Sequence, residues 1–140
     1  VANDVLVSAT DIGLIANPPS DTAQTTLSNA SIFGTNRQGM MVNRGKVNIT
    51  ALTVADAGRT GVEILPGVGE VVTVIDGGTV TNCATYGVTV GQGGTAVSTT
   101  TLGNLEISNN ATGLALQATG RTTNLNSINV HNNSLTGADV

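Results

Sequence analysis

The sequence predicts an all-β protein, a parallel β-helix of about six coils with three short strands in each coil. First, six glycines recur at intervals of 22 to 26 residues: Gly13, Gly39, Gly61, Gly87, Gly113 and Gly137. Second, pairs of aliphatic residues alternate with polar residues before and after each glycine, as they do in half-buried strands. Third, 39% of the residues are hydrophobic and only 1% are aromatic, which suits a narrow stacked core. A repeat of this length decides the architecture, because each unit buries its apolar face only against its neighbours.

One coil shows the three strands in order. Alternating residues at 52–54 predict the first strand, and those at 62–64 predict the second strand after a short polar turn. A loop rich in Pro and Gly follows at 65–70. The β-branched run at 71–75 predicts the third strand, in which Val72 and Val74 match Val47 and Ile49 of the preceding coil.

The same frame fits the other coils. The first strands carry the pairs Val5/Val7, Ala30/Ile32, Leu52/Val54, Gly78/Val80, Leu105/Ile107 and Ile128/Val130. The second strands carry Leu14/Ala16, Met40/Val42, Val62/Ile64, Val88/Val90, Leu114/Leu116 and Ala138/Val140. Residues 17–29 break the pattern, since Pro18 and Pro19 do not both fit a central strand. We expect this segment to leave the first coil, either as a surface loop or as a loop that binds a partner.

A column of turn residues lies two positions after each first-strand pair. Its members are Ala9, Gly34, Asp56, Asn82, Asn109 and Asn132. Gly, Asn and Asp tolerate the left-handed backbone of a tight corner, and stacked Asn side chains bond along a fibre axis. Asp56, Asn82, Asn109 and Asn132 therefore predict a ladder at this corner. The glycine that follows each corner is expected to let the chain enter the next strand without steric cost.

These features resemble the pectin-lyase-like right-handed parallel β-helix superfamily, and the segments SNNATGLAL and VTNCATYGVTV are similar to its coils. The resemblance covers nearly the whole chain and implies a right-handed coil. A left-handed β-helix would repeat every six residues, a period that the sequence lacks. The superfamily includes polysaccharide lyases, hydrolases, epimerases, phage tailspikes, adhesins and structural virion parts. The resemblance therefore implies a fold and leaves the activity open.

Composition argues against several classes of function. The net charge is −4 and Lys and Arg total five, so the clustered basic residues of a nucleic-acid-binding protein are missing. No run of 18 apolar residues predicts a membrane span. The single Cys83 excludes an internal disulfide. The chain lacks the pattern of a secretory signal, so we expect a processed product, a fragment or a protein exported or assembled by another route.

The predicted register brings no catalytic pair together. Strands in a sheet lie about 4.8 Å apart, so cooperating residues should occupy equivalent positions in successive coils. Glu63 is followed by Thr89 in its column, and Glu106 lies between Thr79 and Asn129. His131 has no second His and no Cys beside it for a metal site. We therefore predict no catalytic residue, no metal and no cofactor.

Two hypotheses of function follow. The first is a non-enzymatic structural β-helix subunit of a virion or cell-surface assembly, extracellular or on the virion surface. Open β edges and a surface of low charge favour packing between subunits, and a homotrimer is expected by analogy with tailspikes. The second is a carbohydrate-binding or polysaccharide-depolymerising segment of a tailspike or lyase-like protein. Its groove would lie on the third sheet, with Glu70, Asp76 and Arg121 as glycan contacts and Arg121 as the base of a lyase.

Overall fold

The fold is a parallel β-solenoid. The computed structural model describes residues 1–65, 70–91, 97–117 and 121–139. Within these residues every ladder is parallel, and the strands stack as a solenoid of about five turns. The second sheet contains six strands, one for each of the six predicted coils. Residues 66–69 of the predicted loop and Val140 of the last pair lie outside the described residues.

Two sheets line the solenoid. The first sheet contains long strands in the middle rungs and split strands in the outer rungs: β1 (Ala2–Asn3), β2 (Leu6–Ser8), β4 (Gln24–Phe33), β6 (Gly45–Ala55), β8 (Val71–Thr81), β10 (Ser98–Ser108), β12 (Arg121–Asn126) and β13 (Asn129–His131). The second sheet contains the short strands β3 (Leu14–Ala16), β5 (Met40–Val42), β7 (Thr60–Ile64), β9 (Tyr86–Val90), β11 (Thr112–Leu116) and β14 (Thr136–Asp139).

The long strands β6 and β8 each combine two predicted strands. The predicted third strand of one coil runs directly into the first strand of the next coil, and the chain bends where they meet. The residue at this bend has a positive φ, for example Asn29 (52°), Ala51 (55°) and Asn104 (52°). Because the residue types at this bend vary from rung to rung, the column was not recognised from the sequence.

The core is a set of aliphatic columns. The first-strand pairs Leu52/Val54 and Leu105/Ile107 are buried, as is the second-strand pair Val62/Ile64. In β8, however, the inward residues are Val71, Thr73 and Ile75, each fully buried, while Val72 and Val74 point outward and are partly exposed. The predicted inward pair is thus one residue out of phase. Both faces of VVTVI carry β-branched residues, so alternation alone does not select one face.

The excursion after the first coil covers residues 17–23. Asp21 accepts a hydrogen bond from Nε of Arg44 at 3.0 Å, and Pro18 packs against Gly45. The predicted excursion extended to residue 29, but residues 24–29 belong to β4. Leu27 of this segment is inside the core, which explains why the chain has already returned to the sheet.

The six repeated glycines form a column along the second sheet. Their φ angles are not in the left-handed region, so backbone conformation does not require glycine there. Close approach between rungs requires glycine instead, because a Cβ on Gly61 would lie 2.5 Å from Cγ1 of Val80 and 2.7 Å from the carbonyl oxygen of Gly87. The same clash with the next rung recurs at Gly13, Gly39, Gly87 and Gly113, whereas a Cβ on Gly137 would meet nothing within 4 Å.

Candidate functional site

The predicted corner residues share one backbone conformation. All six have φ between 52° and 60°, the left-handed region: Ala9, Gly34, Asp56, Asn82, Asn109 and Asn132. Asp56 and the three asparagines are exposed to solvent. These positions therefore set the corner through the backbone.

One side-chain bond between rungs starts at a predicted corner residue, since Nδ2 of Asn109 donates to Oγ1 of Thr81 at 3.4 Å. The shorter side-chain bonds between rungs lie one residue further along. Oδ1 of Asn110 accepts a bond from the backbone N–H of Cys83 at 2.9 Å, and Oδ1 of Asn133 accepts from the backbone N–H of Asn110 at 3.0 Å. Nδ2 of Asn110 also donates to Oδ1 of Asn133 at 3.1 Å. Asn110 is only 2% exposed, and a buried amide needs such partners. The bonds at this corner therefore link the side chains of Asn110 and Asn133 to each other and to the backbone N–H of Cys83, and we call these three residues the buried ladder.

Cys83 belongs to this buried ladder and is a poor nucleophile. Its side chain is buried, and Sγ lies 3.5 Å from the carbonyl oxygen of Thr81. Burial raises the pKa of the thiol to about 11. Because the thiolate is the reactive form, the folded protein keeps this sulfur protonated near neutral pH.

The carboxylates on the paired strands are separated by non-acidic neighbours. Glu106 pairs with Thr79 on one side and Asn129 on the other, and Asp76 lies between Thr50 and Gly103. Glu63 is nearly buried and accepts a hydrogen bond from Nε2 of Gln38 at 2.8 Å. These contacts hold each carboxylate in the structure, and they form no acid and base pair.

Glu106 also contacts His131, a pair that sequence reasoning missed. Nε2 of His131 lies 3.4 Å from Oε1 of Glu106, and the hydroxyl of Ser108 donates to the same oxygen at 3.4 Å. Ser108 and His131 are partners in the β10–β13 ladder, so aligning the rungs would have found the cluster. The arrangement is not a nucleophile and base pair, because both side chains face the carboxylate.

The three predicted glycan contacts do not converge. Glu70 is exposed just before β8. Nη1 of Arg121 donates to the carbonyl oxygens of Gly91 and Gln117, which anchors the start of β12 to the preceding turn. In register, Arg121 is two rungs from Val71, and Asp76 lies five residues further along that strand. At about 3.3 Å per residue, Asp76 therefore lies about 17 Å further along the strand direction than Arg121.

Asp76 instead borders a notch at the bend of the first sheet. The outward column there holds Ser28, Thr50, Asp76, Gly103 and Asn126. Gly103 contributes no side chain, so a gap opens between Asp76 and Asn126. A cavity of about 210 Å³ occupies this gap and is lined by Val74, Ile75, Asp76, Thr101, Gly103, Asn104 and Asn126. We call it the Gly103 notch.

The described ranges contain no group of three or more His, Cys, Asp or Glu residues that could hold a metal ion. In the same part of the chain, no helix is long and apolar enough to cross a membrane.

Together, the fold and these surface features define a parallel β-solenoid protein. Comparison of the chain with protein-family models, with curated proteins and with solved structures finds no match. The structure thus supports a parallel β-solenoid, and no match supports the pectin-lyase-like superfamily.

Proposed function

We propose that this chain is a structural β-solenoid, a subunit of a virion or cell-surface assembly that acts through rigid packing against other copies. The proposal rests on which side chains of β8 point outward. Val72 and Val74 point outward and are partly exposed, although their strand lies in the middle of the sheet.

The two valines lie within a surface of low charge, which we call the lateral face. It consists of the outward residues of β6, β8, β10 and β12: Lys46, Asn48, Val72, Val74, Thr99, Thr101, Thr122 and Asn124. Lys46 is the one charged residue in this set. Apolar residues surrounded by uncharged polar ones are typical of the cores and rims of subunit interfaces. The lateral face therefore suits contact with an equivalent face of another copy.

Regular stacking also supports a mechanical role. The glycine column and the aliphatic columns repeat in register through the rungs, and close packing of this kind gives a stiff interior. In a closed homotrimer, one edge of each lateral face would contact the opposite edge of the lateral face on the next copy, because such head-to-tail contacts close into a ring. We propose this state outside the cell or on a virion surface, with neither nucleic acid nor a membrane span.

Solution mass tests the proposal. The chain has a mass of 14.0 kDa, so a trimer is expected at 3 × 14.0, about 42 kDa, by light scattering. Val72→Lys places a charge beside Lys46 in the lateral face and should yield monomers. Thr79→Lys, an outward substitution in the other half of β8, is the matched control and should leave the trimer intact. A monomeric parent chain, or equal masses for both variants, would contradict the proposal.

The depolymerising alternative is tested in parallel. The chain is incubated with acidic and neutral polysaccharides while reducing ends and the absorbance of unsaturated products are followed. We expect no turnover, because Glu70, Asp76 and Arg121 do not converge. Sustained product formation that tracks the purified protein would overturn the structural proposal.

A further inference from the structure

The Gly103 notch lies in the outward polar column at the bend of the first sheet. Oγ1 of Thr50 donates to Oγ of Ser28 at 3.2 Å, and Nδ2 of Asn104 donates to Oδ1 of Asp76 at 2.7 Å. Gly103 itself has no side chain, so Asn104 reaches Asp76 from the neighbouring position and the outward space at Gly103 stays open. Asp76 and Asn126 flank the empty rung at two strand spacings, about 10 Å apart along the axis.

A guest at the Gly103 position lies between two polar groups of the neighbouring rungs. The backbone at Gly103 does not have a positive φ, and a Cβ there would approach Oδ1 of Asp76 to 3.0 Å and the carbonyl oxygen of Asn126 to 3.9 Å. A guest in this position therefore meets a carboxylate on one side and a carbonyl on the other. Both groups accept hydrogen bonds, and Oδ1 of Asp76 already accepts one from Asn104, so a donor on the guest suits the remaining acceptor capacity between them.

Charge narrows the choice of donor. Asp76 is the only charged residue that lines the notch, and the chain as a whole carries a net charge of −4. An ammonium group gains a charge-assisted hydrogen bond to Asp76, whereas a carboxylate-bearing guest is repelled. The remaining lining offers the hydroxyl of Thr101, the amide of Asn126 and the partly exposed side chain of Val74. This combination suits a ring that carries several hydroxyls and one apolar face.

We propose that the Gly103 notch binds an amino-sugar residue of a glycan, with its ammonium group on Asp76 and its hydroxyls on Asn126 and Thr101. This binding function goes beyond the proposed structural role. It also departs from the acidic-sugar substrates that the name of the pectin-lyase-like superfamily implies, since the notch contains no basic residue.

Calorimetric titration with three oligosaccharides of equal length tests the proposal. Oligomers of glucosamine should bind most tightly, their N-acetylated counterparts more weakly, and galacturonate oligomers least. Asp76→Asn should weaken glucosamine binding about tenfold or more, the value of one charge-assisted bond, and should abolish the preference over the N-acetylated oligomer. Gly103→Asn supplies the missing side chain of the column and should remove binding of both.

Glu106→Gln is the control, because it removes the same charge from an exposed carboxylate outside the notch. It should bind glucosamine oligomers as the parent chain does, and circular dichroism verifies that every variant is folded. Equal losses in Asp76→Asn and Glu106→Gln would overturn the proposal, as would tighter binding of galacturonate or no binding of glucosamine at millimolar concentration. Val74 and Thr101 belong to both the lateral face and the notch, so the monomeric Val72→Lys variant is titrated beside the parent chain and molar mass is measured on the same samples. Glucosamine binding by a monomeric parent chain would overturn the subunit role alone, and a trimeric parent chain whose monomeric variant also fails to bind would overturn the notch alone.

Discussion

Replacing Gly61 by alanine should destabilise the solenoid although it adds only one methyl group. The new Cβ would lie 2.5 Å from Cγ1 of Val80, 2.7 Å from the carbonyl oxygen of Gly87 and 2.8 Å from Sγ of Cys83. The oxygen belongs to the backbone of the next rung, so relief requires that two rungs separate.

The magnitude follows from two opposing effects. Overpacking of a close-packed core costs about 1–3 kcal/mol, while replacing glycine by alanine gains about 0.4–1 kcal/mol through the unfolded chain. Three contacts below 3.0 Å place Gly61→Ala near the upper end of the cost, so the expected net loss is about 2 kcal/mol. Gly137→Ala is the matched control in the same column, and it should be neutral or stabilising by up to about 1 kcal/mol.

Guanidinium unfolding followed by circular dichroism measures both variants. With a denaturant slope of about 4 kcal/mol/M, a loss of about 2 kcal/mol lowers the midpoint by about 0.5 M. The midpoint of Gly137→Ala should equal or exceed that of the parent chain. Equal midpoints for Gly61→Ala and Gly137→Ala would refute the conclusion that close approach between rungs requires glycine.

Two further predictions concern the buried ladder. Asn110→Ala should cost about 3 kcal/mol in the same unfolding assay, because it leaves the N–H of Cys83 without its acceptor, whereas Asn109→Gly at the exposed left-handed corner should be nearly neutral. Similar losses would contradict the assignment of the ladder to Asn110. Because burial raises the pKa of Cys83 from 9.0 to about 11, the unfolded chain loses this proton first as the pH rises. Stability from this group is therefore complete below about pH 9 and should fall by about 2–3 kcal/mol by pH 11. Unfolding midpoints of the parent chain and Cys83→Ala across this range check the difference, and parallel curves would contradict it.

The solenoid could be predicted from the sequence because its glycine repeat has a steric cause. Glycine is the only residue that fits between successive rungs, so Gly13, Gly39, Gly61, Gly87 and Gly113 recur at the spacing of one turn. The corner column was also visible, because Asn and Asp tolerate a positive φ better than other residues with a side chain.

The direction of individual side chains was harder to predict. The run 71–75 has β-branched residues on both faces, and the long strand β8 places Val71 and Ile75 inside. Similarly, Asn109 and Asn110 are adjacent and chemically identical, and only the fold determines that Asn110 points inward and bonds to the next rung.

The notch could not be found from local patterns because it depends on a missing side chain. Gly103 has no distinctive neighbours in the sequence, and its role emerges only when Asp76 and Asn126 are aligned on the rungs beside it. The Glu106 and His131 contact has the same origin, since the two residues meet through the register of β10 and β13.

The lateral face and the notch exist only if equivalent residues of successive rungs stack in register. Ser31 and Asn129 occupy the same outward column and are separated by four ladder steps, through Thr53, Thr79 and Glu106. Spin labels at Ser31 and Asn129 in a Cys83→Ala background allow this separation to be measured by double electron–electron resonance. In-register stacking predicts a mean distance of about 19 Å between the labelled backbone positions, and a distance beyond about 30 Å would contradict it.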